Sequence, residues 1–341
     1  MNHEIQFHDS LLTSNLHYGS RHMTVAGIDI GHSAVKLAFR TPDGSLRHRQ
    51  YPSVVTPAIP LSFDPQPDVT QGDTVEVMGR RYFVGLTAVS QGAQAASGLS
   101  MDWINTPEHL VLMERAQRYL VSHQVVPDLV VLGLPVVTFA QQQEALSMQG
   151  LDIFKTDVVV VPQPWGAYQH GVLNENGEHL TSKGTLLASW AVIDVGHFTT
   201  DFMLMEKGRW IEVASGSCAG IYKAVEQLKK LLHARGLQTS QLECEEALRA
   251  GYIRNFNDRL SVQVEIEEAV AVVVNEIVDT GTRLFGGVVR RLDAVLLAGG
   301  GADIIYPTLK ERWPHTMTSD DPRMAIAEGM RRWGLTRLPR K

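Results

Sequence analysis

The sequence predicts an α/β fold built from two similar domains. Apolar stretches typical of buried strands alternate with amphipathic, helix-like stretches, and this alternation occurs twice along the 341 residues. One short pattern is also repeated: an apolar strand, an aspartate, an apolar residue, a glycine and a histidine, at Asp29–His32 and again at Asp194–His197. A chain of this length can bury two cores, so a duplicated domain fits the repeat.

Composition restricts the class of protein. The chain has a net charge of −6, with 44% hydrophobic and 20% charged residues, which is ordinary for a globular protein and argues against a broad DNA-binding surface. Its two cysteines, Cys218 and Cys244, form no C-x-x-C pair, so we expect neither disulfides nor a zinc site. No apolar run reaches membrane-spanning length. We therefore expect a cytoplasmic protein that does not enter a membrane.

The first 22 residues are polar and contain several histidines. They lack the apolar centre of a signal peptide, so we expect a flexible leader. An amphipathic membrane anchor is the less favoured alternative, because the apolar residues form only a weak stripe, made by Ile5, Phe7, Leu11, Leu12 and Leu16.

The first half predicts a hairpin followed by alternating elements. Thr24–Ile30 and Val35–Arg40 are apolar runs on either side of an Asp-Gly turn, which indicates two paired strands. Thr106–His123 has the period of a helix and begins with Thr-Pro-Glu, a helix start signal. The other predicted elements are an extended or looped stretch at Tyr51–Pro67, a hairpin at Val75–Val84, a loop or helix start at Gln91–Ser100, a strand at Leu129–Leu134, a helix at Gln141–Met148 and a strand at Val158–Val161.

The second half repeats the strand–turn–strand theme after a polar surface loop at Leu173–Lys183. Leu187–Val195 and Phe202–Glu206 predict the second pair of strands. Gly220–Arg235 places Val225, Leu228, Leu231 and Leu232 on one face of a helix. The remaining predictions are a short helix at Cys244–Ala250, a long helix at Val262–Val289, a strand at Asp293–Ala298 and a closing helix at Arg323–Trp333, opened by Asp-Asp-Pro.

Asp29 and Asp194 are the strongest candidate site residues. A strand that carries an aspartate into a tight Gly/Ser/Thr turn directs one carboxylate and several backbone N–H groups at the same small volume. Mg²⁺ takes few protein carboxylates and keeps several waters, so two such turns facing each other suit a metal bound to nucleotide phosphates. A single copy would indicate an aspartate that caps its own turn, but two copies in matching contexts favour a shared site.

Residues that follow each aspartate are candidates for gripping phosphate oxygens through backbone N–H groups and hydroxyls. Lys36 lies on the paired strand and is placed to reach a phosphate, with an exposed strand lysine as the alternative. The two histidines occupy positions where a smaller residue would serve, and a structural role in the turn is their alternative. The full set of candidates is Gly31, His32, Ser33, Lys36, Gly196, His197, Thr199 and Thr200.

Two further motifs follow strand-like runs. Gly299–Gly301 matches neither the dinucleotide fingerprint nor the P-loop. Gly299, Gly300 and Gly301 would let a flat base or ribose lie against the backbone, and close packing of a helix start is the alternative. Gln163, between two prolines, is a candidate for orienting a water towards a terminal phosphate, as glutamine does in some nucleoside triphosphatases. Its alternative is a turn residue that faces solvent.

Taken in order, these motifs resemble the actin, heat-shock chaperone and sugar kinase superfamily, whose signature is two phosphate motifs, two connecting segments and an adenosine motif. Within it the chain is most similar to the plasmid-segregation actins of the ParM/StbA type, and Leu132–Val136 is similar to a strand end typical of that group. The five segments that carry the resemblance are Asp29–Lys36, Gln163–Tyr168, Asp194–Asp201, Leu297–Asp303 and Asp321–Gly329.

The resemblance implies an actin-like (ribonuclease H-like) fold with two similar domains around a nucleotide cleft. It implies ATP and Mg²⁺ as cofactors, with Asp29 and Asp194 at the metal and Gln163 positioning the attacking water. Lys223 and Glu226, with Lys230, would frame the ribose or base. The expected domains are a leader at 1–22, a first domain at 23–166 plus 318–341 with an insertion at about 45–105, and a second domain at 167–317 with an insertion at about 215–260.

The resemblance also implies a function: an ATPase that polymerises into dynamic filaments with Mg²⁺–ATP and drives plasmid DNA segregation. Its partners would be further copies of itself and a DNA-binding adaptor of the ParR type. The basic end of the chain is either a partner contact or a solvated tail; it comprises Arg331, Arg332, Arg337, Arg340 and Lys341.

Two alternatives stay open. One is a metabolic phosphotransferase or phosphatase of the same superfamily, such as a sugar kinase or an exopolyphosphatase. A sugar kinase needs a general-base aspartate that faces a sugar pocket, and the sequence offers no clear candidate. The other is an actin-like assembly scaffold that does not hydrolyse ATP.

Overall fold

A computed structural model describes residues 23–92, 102–180 and 188–339. The predicted leader at 1–22, most of the predicted loop or helix start at 91–100, the end of the predicted surface loop, Arg340 and Lys341 lie outside these described residues.

Strands and helices alternate along the described chain. The strands are β1 (Val25–Ile30), β2 (Ala34–Arg40), β3 (Leu46–Pro52), β4 (Val55–Pro57), β5 (Thr74–Val77), β6 (Arg80–Val84), β7 (Leu129–Leu134), β8 (Asp157–Pro162), β9 (Trp190–Val195), β10 (Thr199–Glu206), β11 (Arg209–Ala219), β12 (Tyr252–Asn255), β13 (Asp258–Ser261), β14 (Ala294–Ala298) and β15 (Thr316–Thr318). The helices are α1 (Pro67–Gly72), α2 (Gly85–Ser90), α3 (Pro107–Ser122), α4 (Val136–Phe154), α5 (Gln163–Val172), α6 (Tyr222–Ala234), α7 (Gln241–Ala250), α8 (Gln263–Phe285), α9 (Ala302–Arg312) and α10 (Ala325–Arg337), with 3-10 turns at Trp103–Asn105 and Gly286–Arg291.

Two five-stranded sheets have the same topology. The first has the order β3-β2-β1-β7-β8 and the second the order β11-β10-β9-β14-β15. In each sheet the first three strands are antiparallel, and the remaining two add in parallel to the central strand. A matching hydrogen bond marks the equivalence. Thr24 N donates to Asp128 Oδ2 and Ser189 N donates to Asp293 Oδ2, both at 2.7 Å and both across 104 residues. The predicted duplication is therefore present in the backbone.

The core has three parts. Helices α3 and α4 bury apolar residues against the first sheet, while α6, α8 and α9 do the same against the second. A third cluster takes residues from both sheets and from α5 and α10, so these two helices lie between the sheets. They cross closely, because a side chain at Gly329 would collide with the backbone oxygen of Gly166. This tight helix pair therefore contributes to holding the two halves together.

An ion-pair cluster holds α10 in this position. Glu328 is buried and accepts hydrogen bonds from Arg331 Nε at 2.8 Å and from Arg332 Nε at 2.8 Å. Arg331 also donates to the backbone oxygen of Glu175, and Arg332 to that of Leu173. These two arginines were predicted to be a partner contact or a solvated tail. That prediction is wrong for both, because their charges are satisfied inside the protein.

Most predicted elements are confirmed, with boundaries that move by a few residues. The largest difference is at Gln163, which begins helix α5 instead of a turn, with Pro164 in the first helical turn where proline is tolerated. Several elements were not predicted: β3, β11, the β12–β13 hairpin, β15, α1, α2 and α9. Their sequences are short or mixed in polarity, so no clear period marks them. Within the described residues, no helix combines the length and the apolar character needed to span a membrane.

Candidate functional site

A cavity lies between the two sheets, at the carboxyl ends of their central strands. Asp29 at the end of β1 and Asp194 near the end of β9 both line it, together with the turns that follow each strand. The other lining residues come from both halves and include Ser33, Lys36, Trp103, His109, Gln163, Phe198, Thr199, Asp201, Arg249, Gly300, Gly301 and Arg323. The carboxyl ends of the parallel strands in an open sheet are the usual place for a ligand. The two mirrored aspartate turns therefore share one crevice.

Asp29 is held at both carboxylate oxygens. Lys36 Nζ donates to Oδ2 at 2.8 Å, and Gln163 Nε2 donates to Oδ1 at 2.7 Å. The Lys36 contact follows from the hairpin, because Asp29 and Lys36 are opposite each other in the β1–β2 register. Although burial favours the neutral amine, the carboxylates of Asp29 and Asp194 hold the pKa of Lys36 above its ordinary value. Lys36 is thus a buried cation of the cleft and not an exposed strand lysine.

The second hairpin places two carboxylates opposite each other. Asp194 and Asp201 are paired in the β9–β10 register, and both are buried. Burial, reinforced by the charge of Asp29, raises the pKa of Asp194 to about 8, and burial raises that of Asp201 to about 7. Asp201 also accepts a hydrogen bond from Thr199 Oγ1 at 3.1 Å and one from the backbone N–H of Val136 at 3.3 Å. The second contact joins the second sheet to the first turn of α4.

The two turns after the aspartates have the same geometry. Gly31 N donates to the oxygen of Ala34, and Gly196 N donates to that of Thr199. The second turn is fixed further by the start of α6, where Tyr222 N donates to the oxygen of His197. Glycine is required nearby, since a side chain at Gly220 would collide with the oxygens of both Gly196 and His197. The glycines of both turns therefore let the backbone approach the cavity closely.

Rings from the two turns meet across the cavity. His32 stacks on Trp103 with ring centroids 4.6 Å apart, and its ring lies 5.6 Å from that of Phe198, edge to face. Burial and the neighbouring His197 lower the pKa of His32 to about 4. Its Nε2 is buried and has no hydrogen-bond partner among the described residues. An uncharged imidazole with an open nitrogen can accept or donate a hydrogen bond to a polar group brought into the cavity.

The triple glycine packs under Asp194. Gly299 has φ +89°, and a side chain there would collide with Asp194 Oδ1 and the oxygen of Val195. Gly301 is equally restricted by the Val195 side chain, whereas a side chain at Gly300 would meet no protein atom. Gly299 therefore positions the aspartate, and Gly300 presents bare backbone to open space beside the cavity.

Several predicted contacts do not line the cavity in the structure, and Gly299, which packs under Asp194, is one of them. Thr200 alternates to the other face of β10, where it is fully buried and donates to the oxygen of Ala219. Lys223 forms an ion pair with Glu276 on α8. Glu226 lines a separate groove along α6. Lys223 and Glu226 remain a prediction for a nucleotide-bound form, while Thr200 has a structural role here.

Sequence reasoning missed several lining residues. Asp201 carried a usable signal, because it follows Asp194 by seven residues as Lys36 follows Asp29. Arg323 lies in Asp321–Gly329, one of the segments that carry the resemblance, but the sequence does not show that its side chain faces the cavity. Trp103, His109 and Arg249 come from elements remote in the chain and carry no local signal.

The residues of the cavity fit a nucleotide with a divalent cation. The described residues contain no cluster of three or more His, Cys, Asp or Glu side chains arranged as a complete metal site. Mg²⁺ does not require one, because it keeps several waters and takes one or two carboxylates in addition to phosphates. Asp29, Asp194 and Asp201 line the cavity and could offer carboxylates to such an ion, while Lys36, Arg249 and Arg323 line it and could offer positive charge to phosphate. The bare backbone at Gly300 and the open nitrogen of His32 add further polar groups to the lining.

Comparisons with known proteins agree with this architecture. A family model for the N-terminal domain of actin-like proteins matches residues 27–166, and one for the C-terminal domain of archaeal MreB-like actin homologues matches residues 192–311. No curated protein matches the sequence at a significant level.

Solved structures with the same architecture include three from this group. A 15-stranded ParM filament from Clostridium botulinum has a TM-score of 0.68 at 19% identity, covering 92% of this chain and 99% of that one. The archaeal actin homologue Ta0583 in complex with ADP has a TM-score of 0.68 at 19% identity, covering 93% and 100%. ParM from Bacillus thuringiensis with ATP has a TM-score of 0.61 at 14% identity, covering 92% and 98%. At such identities the similarity shows the fold, and the chemistry must be argued from the site itself.

Proposed function

Since this chain belongs to the actin-like proteins, we propose that it is an ATPase that binds Mg²⁺–ATP in the cleft, assembles into filaments and thereby segregates plasmid DNA. The observation that carries the proposal is the cleft itself. Asp29 and Asp194 approach it from two equivalent hairpins, and Gln163 is hydrogen-bonded to the first of them. The ADP and ATP complexes of the structural relatives support a nucleotide as the ligand.

Each polar group of the cleft has a role in this proposal. Asp29 and Asp194 would hold Mg²⁺ and its waters, and a bound ion would supply positive charge that stabilises the phosphates in the transition state. Lys36 and the backbone N–H groups of the two turns bind phosphate oxygens, with Ser33 and Thr199 adding hydroxyls. Gln163 Nε2 donates a hydrogen bond to Asp29, so the side-chain oxygen of Gln163 is the group that can accept a hydrogen bond from the attacking water and orient it.

Nucleotide entry requires the two sheets to separate. The cavity has a volume of about 100 Å³, whereas sites that hold drug-sized ligands measure about 300–1,000 Å³. The helix pair α5 and α10 lies between the sheets, so residues 23–166 with 318–341 and residues 167–317 would turn about it as two lobes. Closing on ATP would favour one lobe arrangement and hydrolysis the other, which links assembly to the nucleotide.

DNA would be reached through an adaptor. The net charge of −6 does not favour direct binding to a polyanion, so a DNA-binding protein of the ParR type would connect filament and plasmid. The structural relative that is itself a ParM filament supports self-association of this fold.

The proposal is tested by light scattering after addition of Mg²⁺–ATP, with phosphate release measured in the same sample. We expect scattering to rise at once and to fall as phosphate appears. Phosphate transfer that needs an added sugar, with flat scattering, would replace the proposal with a kinase. A stable rise without phosphate release would indicate a scaffold. For the segregation role, a plasmid that encodes Asp194→Asn should be lost from dividing cells faster than one that encodes the wild type.

A further inference from the structure

We infer that the β12–β13 hairpin of one copy docks, through Phe256 at its tip, into an apolar groove at the far end of the first sheet of the next copy. This inference rests on the proposed assembly into filaments and names the contact that forms them. It assigns a role to two surface features that the nucleotide cleft does not use.

The hairpin presents an aromatic ring to solvent. Phe256 lies in the turn between paired residues Asn255 and Asp258, with 96% of its surface exposed. Its φ of +56° is a left-handed conformation that is unfavourable for a bulky residue. The hairpin thus holds a large apolar side chain in solvent, in a backbone conformation that is energetically unfavourable for it. Aromatic residues presented in this way are typical anchors of protein interfaces.

The groove is lined by apolar and charged side chains. Its volume is about 370 Å³, and Leu129, Leu151, Val158 and Leu338 contribute its apolar lining. Leu151 is more than half exposed, as is Met148 one turn earlier on α4. The groove is therefore a partly open apolar surface of a size that can receive one aromatic ring.

The charges around the two features are reciprocal. The hairpin carries two arginines and one aspartate close to the ring, namely Arg254, Arg259 and Asp258. The groove is lined by two aspartates and one arginine, namely Asp128, Asp157 and Arg337. Opposite charge patterns of this kind orient two surfaces as they meet and exclude partners with the wrong pattern. The pattern favours the hairpin of a second copy as the occupant of the groove.

The positions of the two features give an open-ended assembly. The hairpin follows α7, whose Arg249 lines the nucleotide cavity, so it lies on the cleft side of the second half. The groove lies at Leu129 and Asp157, the first residues of β7 and β8, whose other ends reach the cleft. Different surfaces on opposite sides of the molecule make a head-to-tail contact, and such a contact propagates as a filament when it does not close into a ring.

A rival occupant is the leader at 1–22. It precedes Thr24, whose backbone N–H donates to Asp128 in the groove lining. The leader carries no cluster of arginines to match the two aspartates, so the charges favour the hairpin. Deletion of residues 1–22 distinguishes between the two occupants. If the hairpin occupies the groove, we expect the filament yield to be unchanged. A leader that fills the groove would instead make deletion raise the yield while Phe256→Asp had no effect.

Two assembly-defective variants provide the decisive test. Phe256→Asp removes the anchor, and Leu151→Asp places a charge in the groove at a side chain exposed enough to tolerate it. With Mg²⁺ and a slowly hydrolysed ATP analogue, each variant alone should raise the critical concentration for sedimentation about tenfold or more. Val213→Asp, at an equally exposed apolar residue of the same half, is the matched control and should sediment as the wild type does.

Mixing the two defective variants distinguishes lost contact from lost folding. Each retains one intact surface, so the mixture should form dimers, and analytical ultracentrifugation should report about twice the mass of the single chain. The inference is overturned if Phe256→Asp sediments like the wild type or if the mixture stays monomeric. Failure of the wild type itself to sediment with nucleotide overturns the proposed function instead.

Discussion

Lys36 and Asp201 occupy the same position in the two halves of the protein, although one is a basic and the other an acidic residue. Lys36 lies opposite Asp29 in the first hairpin, and Asp201 lies opposite Asp194 in the second, each seven residues after its partner. The first hairpin therefore contains an ion pair, while the second contains two buried carboxylates. The wall of the cleft formed by the first hairpin therefore pairs an acidic with a basic residue. The wall formed by the second hairpin, the acidic wall, has Asp194 and Asp201 opposite each other. We expect the acidic wall to be the one that depends on a cation.

The metal role of that wall is tested by Asp194→Asn. The substitution is nearly the same size, so the packing against Gly299 is kept while the charge is removed. We expect calorimetry to show Mg²⁺-dependent ATP binding weakened about tenfold or more. Binding of ATP measured in excess chelator should change little. Asp293→Asn, at the opposite end of the neighbouring strand, is the matched control and should bind like the wild type. Undiminished Mg²⁺-dependent binding by Asp194→Asn would remove this aspartate from the metal site.

The water-positioning role of Gln163 makes a separate prediction. Gln163→Ala should slow phosphate release about 100-fold, because the orientation of the attacking water is lost, while ATP binding changes much less and assembly is kept, since Lys36 still holds Asp29. The polymer should consequently persist longer after a limited addition of ATP. Gln169, the other glutamine of α5, lies outside the cavity, so Gln169→Ala should release phosphate at the normal rate. Equal turnover by the two variants would exclude the assigned role.

The triple glycine allows packing and ligand contact to be tested by neighbouring substitutions. Gly300→Ala adds a methyl group that meets no protein atom, so the melting temperature should be unchanged and nucleotide binding weakened. Gly299→Ala adds one at φ +89° against Asp194 and Val195, and should lower the melting temperature by about 5 °C or more. Calorimetric unfolding without nucleotide measures the melting temperature of each variant, and nucleotide titration measures its binding. Normal nucleotide binding by Gly300→Ala would place the base or ribose elsewhere.

The buried Glu328 gives a prediction for stability and pH. Burial alone would raise the pKa of Glu328. Hydrogen bonds from Arg331, His48 and Arg332 nevertheless hold that pKa well below its ordinary value. The folded state thus binds the Glu328 proton less readily than the unfolded state, so this stabilisation is present above about pH 4.3 and is lost as the pH falls further.

Glu328→Gln should therefore cost about 3–5 kcal/mol at pH 7, because it leaves the buried Arg331 and the partly buried Arg332 without a counter-charge. Urea unfolding should show the difference from the wild type narrowing between pH 7 and pH 3. Glu144→Gln, at an exposed glutamate, should follow the wild type throughout. A cost that stays constant down to pH 3 would contradict the ionic origin of the effect.

The parts of the site that are local in sequence were predictable. An aspartate that enters a glycine turn is visible as a motif, and its repetition at Asp29 and Asp194 indicated both the duplication and the shared cleft. The alternation of buried strands and amphipathic helices predicted the fold class, because the spacing of apolar residues along an element reflects which of its faces is buried.

The parts that depend on direction or on remote contacts were not predictable. Thr199 and Thr200 are equivalent as sequence, yet strand alternation sends only Thr199 into the cavity. Trp103 and Arg249 reach the cavity from elements joined to it only by the tertiary fold. In the sequence Arg331 resembles part of a basic tail. It is buried because it pairs with Glu328, and the sequence alone does not distinguish Glu328 from the other acidic residues.

The most direct test of the central claim is cryo-electron microscopy of the protein with Mg²⁺ and a slowly hydrolysed ATP analogue. The account predicts one nucleotide between the two sheets, with its phosphates and a metal between Asp29 and Asp194 and its base or ribose against Gly300. Density for the nucleotide on one lobe alone, or outside the cleft between the two aspartates, would contradict it.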